Sequence, residues 1–196
     1  ASIGLDLKEK MVLRLGDGRT VSRPEFRELS PARFTDVTGG RDVYGNPDLK
    51  RSVIENVDLR WDWFLRPGEI ISVGGFFKYF DSPIEVSIDP SAQLSSTWRN
   101  AESATNFGFE FEFLKSFDWI SQFLSDFYFA GNAAIIFSRV NLPSEGVQTP
   151  DERALQGQSP FVINAQLGYD SERFGLSGSI LYNVFGKRIA EVGALD

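Results

Sequence analysis

Phe107-Gly108-Phe109-Glu110-Phe111-Glu112-Phe113 places four phenylalanines at alternate positions, with one glycine and two glutamates between them. Successive side chains of a β-strand point to opposite faces, so this run has one greasy face and one charged face. A helix would scatter the same residues around its circumference. Val57-Asp58-Leu59-Arg60-Trp61-Asp62-Trp63 follows the same rule, with Val, Leu and two Trp opposite Asp, Arg and Asp. Both segments are predicted to be strands.

Weaker versions occur along the whole chain. Met11, Leu13 and Leu15 alternate with Val12, Arg14 and Gly16, and Ile71, Val73, Gly75, Phe77 and Tyr79 share a face. Phe127, Phe129, Gly131, Ala133, Ile135 and Phe137 oppose Asp126, Tyr128, Asn132 and Ser138. Phe161, Ile163, Ala165, Leu167 and Tyr169 form another row, as do Phe174, Leu176, Gly178, Ile180 and Tyr182. With the stub Ile3–Leu7, the pattern predicts eight strands, the first incomplete. Short joins (Lys8–Lys10, Leu65–Glu69, Lys115–Gln122, Asp170–Arg173) alternate with long ones near 19–52, 81–105 and 139–160. In an up-and-down meander all short turns then lie at one end and all long loops at the other, as in outer-membrane barrels. Trp61, Trp63, Phe64, Phe117, Trp119, Tyr169 and Phe174 gather beside the short turns, where amphipathic rings suit a membrane interface.

Composition narrows the function classes. Among 196 residues there are 18 Phe but no Cys and no His, which excludes disulfides, a Ser-His-Asp triad and His-ligated zinc. A net charge of −7 argues against a nucleic-acid partner. No apolar run is long enough for a transmembrane helix. The mean hydropathy of −0.18 is what averaging over alternating strands produces. A soluble lipocalin-like barrel with its Phe rows inside is the first alternative, and a complete eight-stranded membrane barrel the second. The second would leave two ragged edges in lipid, where each unsatisfied backbone group costs several kcal/mol, so a piece of a larger barrel is expected. The abrupt start at Ala1-Ser2-Ile3 and the polar end after Phe185 are read the same way, making residues 1–196 a partial barrel domain.

Several blocks resemble TonB-dependent outer-membrane receptors. Arg14–Leu29, which contains Thr20-Val21-Ser22-Arg23-Pro24-Glu25-Phe26-Arg27-Glu28, looks like that family's strand and following loop. Tyr44-Gly45-Asn46-Pro47-Asp48-Leu49 resembles its "G-N-P-x-L" turn, and Asn56–Trp61 with Pro67-Gly68-Glu69 its next hairpin. Phe76–Glu85, Leu155–Pro160 and Leu181–Ile189 are similar to later blocks in the same order. The resemblance implies an all-β, antiparallel up-and-down transmembrane barrel of 22 strands, of which this chain is the C-terminal wall. It also implies residence in the Gram-negative outer membrane, a plug domain elsewhere, and TonB-coupled uptake of a large nutrient such as a ferric siderophore. Asp17 departs from the pattern, which tends to have an aromatic there. It is expected near the outer rim or against a bulge.

No enzyme chemistry stands out, and no cofactor is expected. Glu110 and Glu112 share a face, but neighbouring same-face positions line a wall rather than flank a cleft. Asp42, Asn46 and Asp48 could bind calcium weakly, although such a group is more often a turn. The first long loop holds seven Lys/Arg against five Asp/Glu between Arg19 and Ser52. Arg23, Arg27 and Arg41 are the candidate ligand-binding residues, suited to a ferric chelate or carboxylated nutrient. Alternatively Arg23, Glu25, Arg27 and Glu28 pair with each other and brace the loop. A non-transporting outer-membrane barrel, such as an adhesin, is the second functional reading; an upstream plug domain separates the two.

Overall fold

The computed structural model describes residues 1–35, 42–89, 95–141, 153–190 and 192. In chain order the elements are β1 (Ser2–Lys8), β2 (Met11–Ser22), the single-turn helix α1 (Phe26–Leu29), β3 (Arg33–Thr35), β4 (Asp42–Tyr44), β5 (Ser52–Arg66) and β6 (Glu69–Asp81). There follow β7 (Ile84–Asp89), β8 (Ser95–Asn100), β9 (Ser103–Ser116), a 3-10 turn (Gln122–Leu124), β10 (Phe127–Asn141), β11 (Phe161–Ser171) and β12 (Leu176–Phe185). Eight of the strands form one antiparallel sheet in the order β1-β2-β5-β6-β9-β10-β11-β12. These are the eight predicted strands, and spatial order follows chain order, as a meander requires. The sheet is an open wall, with β1 and β12 at its edges.

Register propagates the period-two pattern across the sheet. Val12, Asp62, Ser72, Glu112, Asn132, Asn164 and Asn183 are consecutive partners from β2 to β12 and form one row, polar from Asp62 onward. The adjacent row on the opposite face is Leu13, Trp61, Val73, Phe111, Ala133, Ile163 and Val184. A one-residue slip in any strand would exchange these faces, so every strand's hydrophobicity specifies the same register. On the apolar face Phe107 stacks on Phe137 at 5.0 Å, and Trp61 lies 6.2 Å from Trp63.

Burial runs opposite to that of a soluble barrel. Phe109 is 63% exposed, and Leu59, Ile135 and Phe137 are also exposed. Asp62, Ser72, Asn106 and Glu69 are buried. A lipocalin-like barrel would bury the Phe rows, so that alternative does not describe this chain. Asp17 faces the apolar side opposite Val57, one row below the ion pair Arg19–Glu55 at 3.1 Å. Register is unbroken there, so Asp17 sits at the charged rim and not at a bulge.

The first two long connections are not bare loops. β3, β4, β8 and β7 form a second four-stranded sheet in that order, with β4 parallel to β8. Sequence reading missed it, since three-residue strands carry almost no period. Ile84-Glu85-Val86-Ser87-Ile88 does alternate and could have revealed β7.

Candidate functional site

Two polar constructions are built on this frame, one on the wall and one among the long connections. On the wall, Asp62 is fully buried and receives hydrogen bonds from Arg14, from Arg60 Nε at 2.7 Å and from Ser72 Oγ at 2.6 Å. Arg60 also reaches Ser72 at 3.0 Å and Glu112 at 2.6 Å, which ties β2, β5, β6 and β9 together on one face. The row continues as an amide ladder: Asn164 donates to Asn132 at 2.7 Å, and Asn183 donates to Asn164. Charge is balanced locally, because a buried carboxylate is tolerable only when paired and hydrogen-bonded. Glu112 is thereby engaged by Arg60, and with Glu110 it lines a wall, as sequence reading expected.

At the other end the long connections converge. A cleft of about 260 Å³ is lined by Ser22, Arg23, Glu25 and Glu28 from the first connection, Ile84, Val86 and Trp98 from the second, and Gln156 from the third. Gln156 acts as a clasp. Its carboxamide accepts the Val86 N–H at 2.7 Å and donates to the Ala190 carbonyl at 2.6 Å, so it substitutes for a strand between two backbones. Beside it Arg153 grips Glu85 with two bonds, at 3.0 and 2.5 Å, and both side chains are largely removed from water. Val192 extends the small sheet by pairing with Ser87 on β7. Asn46 donates to the Trp98 carbonyl at 3.0 Å, and Asn100 both accepts from the Lys50 N–H and donates to the Ser82 carbonyl. Sequence reading placed Glu85 and Gln156 in family-like blocks without giving them a role, and did not name Trp98 or Arg153. The signals were the Phe76–Glu85 block for Glu85 and the Leu155–Pro160 block for Gln156.

The candidate ligand residues separate in space. Arg23 is exposed at the cleft. Arg27, on α1, does not line it; its guanidinium lies 5.1 Å from the Phe34 ring centre. Arg41 lies outside the described residues. The mutual pairing of Arg23, Glu25, Arg27 and Glu28 is not formed. Glu28 instead accepts the Glu25 N–H at 2.8 Å, capping its own helix, and neither arginine makes an ion pair among the described residues. The suspected calcium group is a turn: the Asn46 carboxamide accepts the Asp48 N–H at 2.9 Å, and Asp42 accepts the Thr35 hydroxyl.

A third cluster lies at the short-turn end. Arg66 binds both oxygens of Asp118 at 2.6 Å and reaches Glu69 at 2.6 and 3.1 Å, while Lys115 contacts Glu69 at 3.0 Å. The Arg66 hydrogen bonds, followed by that from Ser116, hold the Asp118 carboxyl well below the usual carboxylate range.

Solved structures with this fold include siderophore receptors and a copper transporter. The siderophore receptor PirA from Pseudomonas aeruginosa superposes with a TM-score of 0.62 at 18% identity, over 94% of this chain and 30% of that one. A ferric enterobactin receptor (PfeA) mutant from Pseudomonas aeruginosa in complex with enterobactin gives 0.63 at 16% identity, over 95% and 27%. The copper transporter OprC gives 0.67 at 18% identity, over 97% and 26%. The chain thus spans less than a third of these structures, and identities this low show a shared fold alone. No curated protein sequence matches the chain. The family model described as "TonB dependent receptor-like, beta-barrel" matches residues 1–194, and the chain belongs to that family.

Proposed function

We propose that this chain is part of the wall of an outer-membrane receptor that takes up a metal chelate, such as a ferric siderophore, with energy supplied through TonB. The observation that carries the reading is the two-faced meander itself, in a chain of this family. One face is an exposed apolar band, the other a balanced polar row, and the long connections join in a cleft at one end. On β10 the outward row from Phe127 to Phe137 rises about 33 Å along the strand, or about 25 Å across a membrane at a tilt of about 40°. That is the height of the apolar band of outer-membrane barrels. The apolar face therefore meets lipid, and the cleft lies on the outer side.

In this reading Arg23, together with Arg27 and Arg41 from the same connection, attracts an anionic ligand to the loop end. Guanidinium groups suit the carboxylate or catecholate oxygens of a chelate. Trp98 offers an aromatic wall beside Arg23 in the cleft. A siderophore receptor and a copper transporter among the structural relatives support a metal-bearing cargo over a sugar or peptide. The test is accumulation of radiolabelled ferric siderophores by cells carrying the full receptor, with and without TonB. Uptake that requires both supports the proposal, whereas equal uptake in cells lacking TonB overturns it. Replacing Arg23 and Arg27 together by alanine is expected to weaken chelate binding about tenfold or more, given about 1.5–3 kcal/mol for a hydrogen bond to a charged group.

A further inference from the structure

Three short connections of the wall are tight: Glu9–Lys10, Pro67–Gly68 and the turn from Glu172 to Gly175. The fourth, from Phe117 to Asp126, is longer and carries apolar side chains in the open. Trp119 is 65% exposed, Ile120 57% and Phe123 95%. The segment is not a loose tether. The Phe117 N–H bonds the Phe127 carbonyl at 2.9 Å, and Ile120 and Ser121 both donate back to the Phe117 carbonyl. The Ser121 hydroxyl accepts the Phe123 N–H, and the Leu124 N–H bonds the Ser121 carbonyl at 2.9 Å. Asp118, next to Trp119, is held by Arg66 across the β5–β6 hairpin and by the Ser116 hydroxyl at 2.8 Å. A well-braced frame that presents three large apolar groups to water signals a covering partner.

We infer that this turn is a membrane foot, which seats Trp119, Ile120 and Phe123 in the phospholipid headgroup layer on the short-turn side. The inference rests on the apolar face meeting lipid. Lipid is favoured over a protein partner by continuity. The turn springs from Phe117 and returns at Phe127, and the apolar face ends there in an aromatic row, with Phe127 4.8 Å from Tyr169 and Phe113 6.1 Å from Phe129. The charges at its base are neutralised in pairs, Arg66 by Asp118 and Lys115 by Glu69, and Asp126 at its far end accepts the Ser125 hydroxyl, so the apolar groups dominate what the foot presents. Aromatic rings beside paired charges are what a headgroup layer accommodates.

The test uses the full receptor in phosphatidylethanolamine–phosphatidylglycerol nanodiscs, with single cysteines labelled by the fluorophore NBD and other cysteines replaced by serine. Labels at Phe123→Cys and Ile120→Cys are compared with Phe109→Cys on the mid-face and Glu172→Cys on a neighbouring tight turn. The foot predicts strong quenching of the 120 and 123 labels by headgroup-proximal nitroxide lipid, and several-fold weaker iodide quenching than at 172. Iodide quenching at 120 and 123 equal to that at 172, with the 109 label still reached by an acyl-chain nitroxide lipid, overturns the foot alone. Protection of 120 and 123 from both quenchers points to a protein cover and also overturns it. Failure of an acyl-chain nitroxide lipid to reach 109 removes the lipid-facing reading and the foot with it.

Discussion

Single positions on this chain are decided by what surrounds the backbone. At Gly45 a β-carbon would stand 2.4 Å from the Ser30 carbonyl, 2.6 Å from that of Glu28 and 2.7 Å from that of Arg27. Those carbonyls are fixed in place, since Gly45 and Asn46 donate to Ser30 and Glu28 at 2.8 and 2.6 Å. Gly45→Ala must therefore push the α1 segment away, a cost of about 1–3 kcal/mol for overpacking. Amide exchange at Gly45 and Asn46 is expected to rise by one to two orders of magnitude while the wall strands keep their protection. Gly16→Ala is the control, because a β-carbon there meets nothing within 4 Å and should leave exchange unchanged. The same logic explains Gly168, which makes room for the Tyr128 ring; a β-carbon would sit 2.0 Å from Tyr128 Cζ. Glycine at 45 was legible as part of a turn block, but its contact with α1 was not, since nothing in a local motif says which distant carbonyls crowd it.

Elements of the small sheet depend on side-chain straps more than on their own ladders. β3 and β4 pair over three residues each, too few for independent stability. The strap with the most at stake is Glu85–Arg153, because both groups are nearly sealed from water. Removing one partner leaves an uncompensated charge, which costs about 3–5 kcal/mol in buried pairs. Glu85→Ala in the full receptor is expected to open the 153–158 segment to limited proteolysis and, on the proposed function, to lower chelate affinity. Resistance to proteolysis equal to wild type would show that Gln156 and the Val192 pairing suffice without the ion pair. The main strands contrast with this: each carries enough alternating residues that its face was readable before any partner was known.

For the whole molecule, the consequence of an exposed apolar band is energetic and testable. Phe109 lies in the middle row of the apolar face, between Gly75 on β6 and Ile135 on β10. If that row faces hydrocarbon, Phe109→Arg costs about 2–4 kcal/mol near the midplane, falling toward the interfaces. Urea unfolding of the full receptor in phospholipid vesicles is expected to show a loss of that size for Phe109→Arg. Arg19→Ala at the charged rim should change little, since an exposed pair with Glu55 contributes at most about 1 kcal/mol. Equal, negligible effects at both positions would mean that Phe109 does not face lipid.

The amino-acid sequence by itself determined the eight wall strands, their order, the two faces and the end at which long connections gather. Those follow from covalent geometry: a strand's side chains alternate whatever lies beside it, and short turns force consecutive strands to neighbour one another. It also marked Arg23 as a loop-end cation, although not its company. Tertiary structure alone decided that Arg27 turns to Phe34, that Asp62 gathers Arg14, Arg60 and Ser72, and that Glu85 meets Arg153 68 residues away. Such contacts join segments distant in the chain whose only shared property is proximity after the wall has formed. No period or motif encodes that proximity, because register and loop packing bring the groups together only once the meander is assembled.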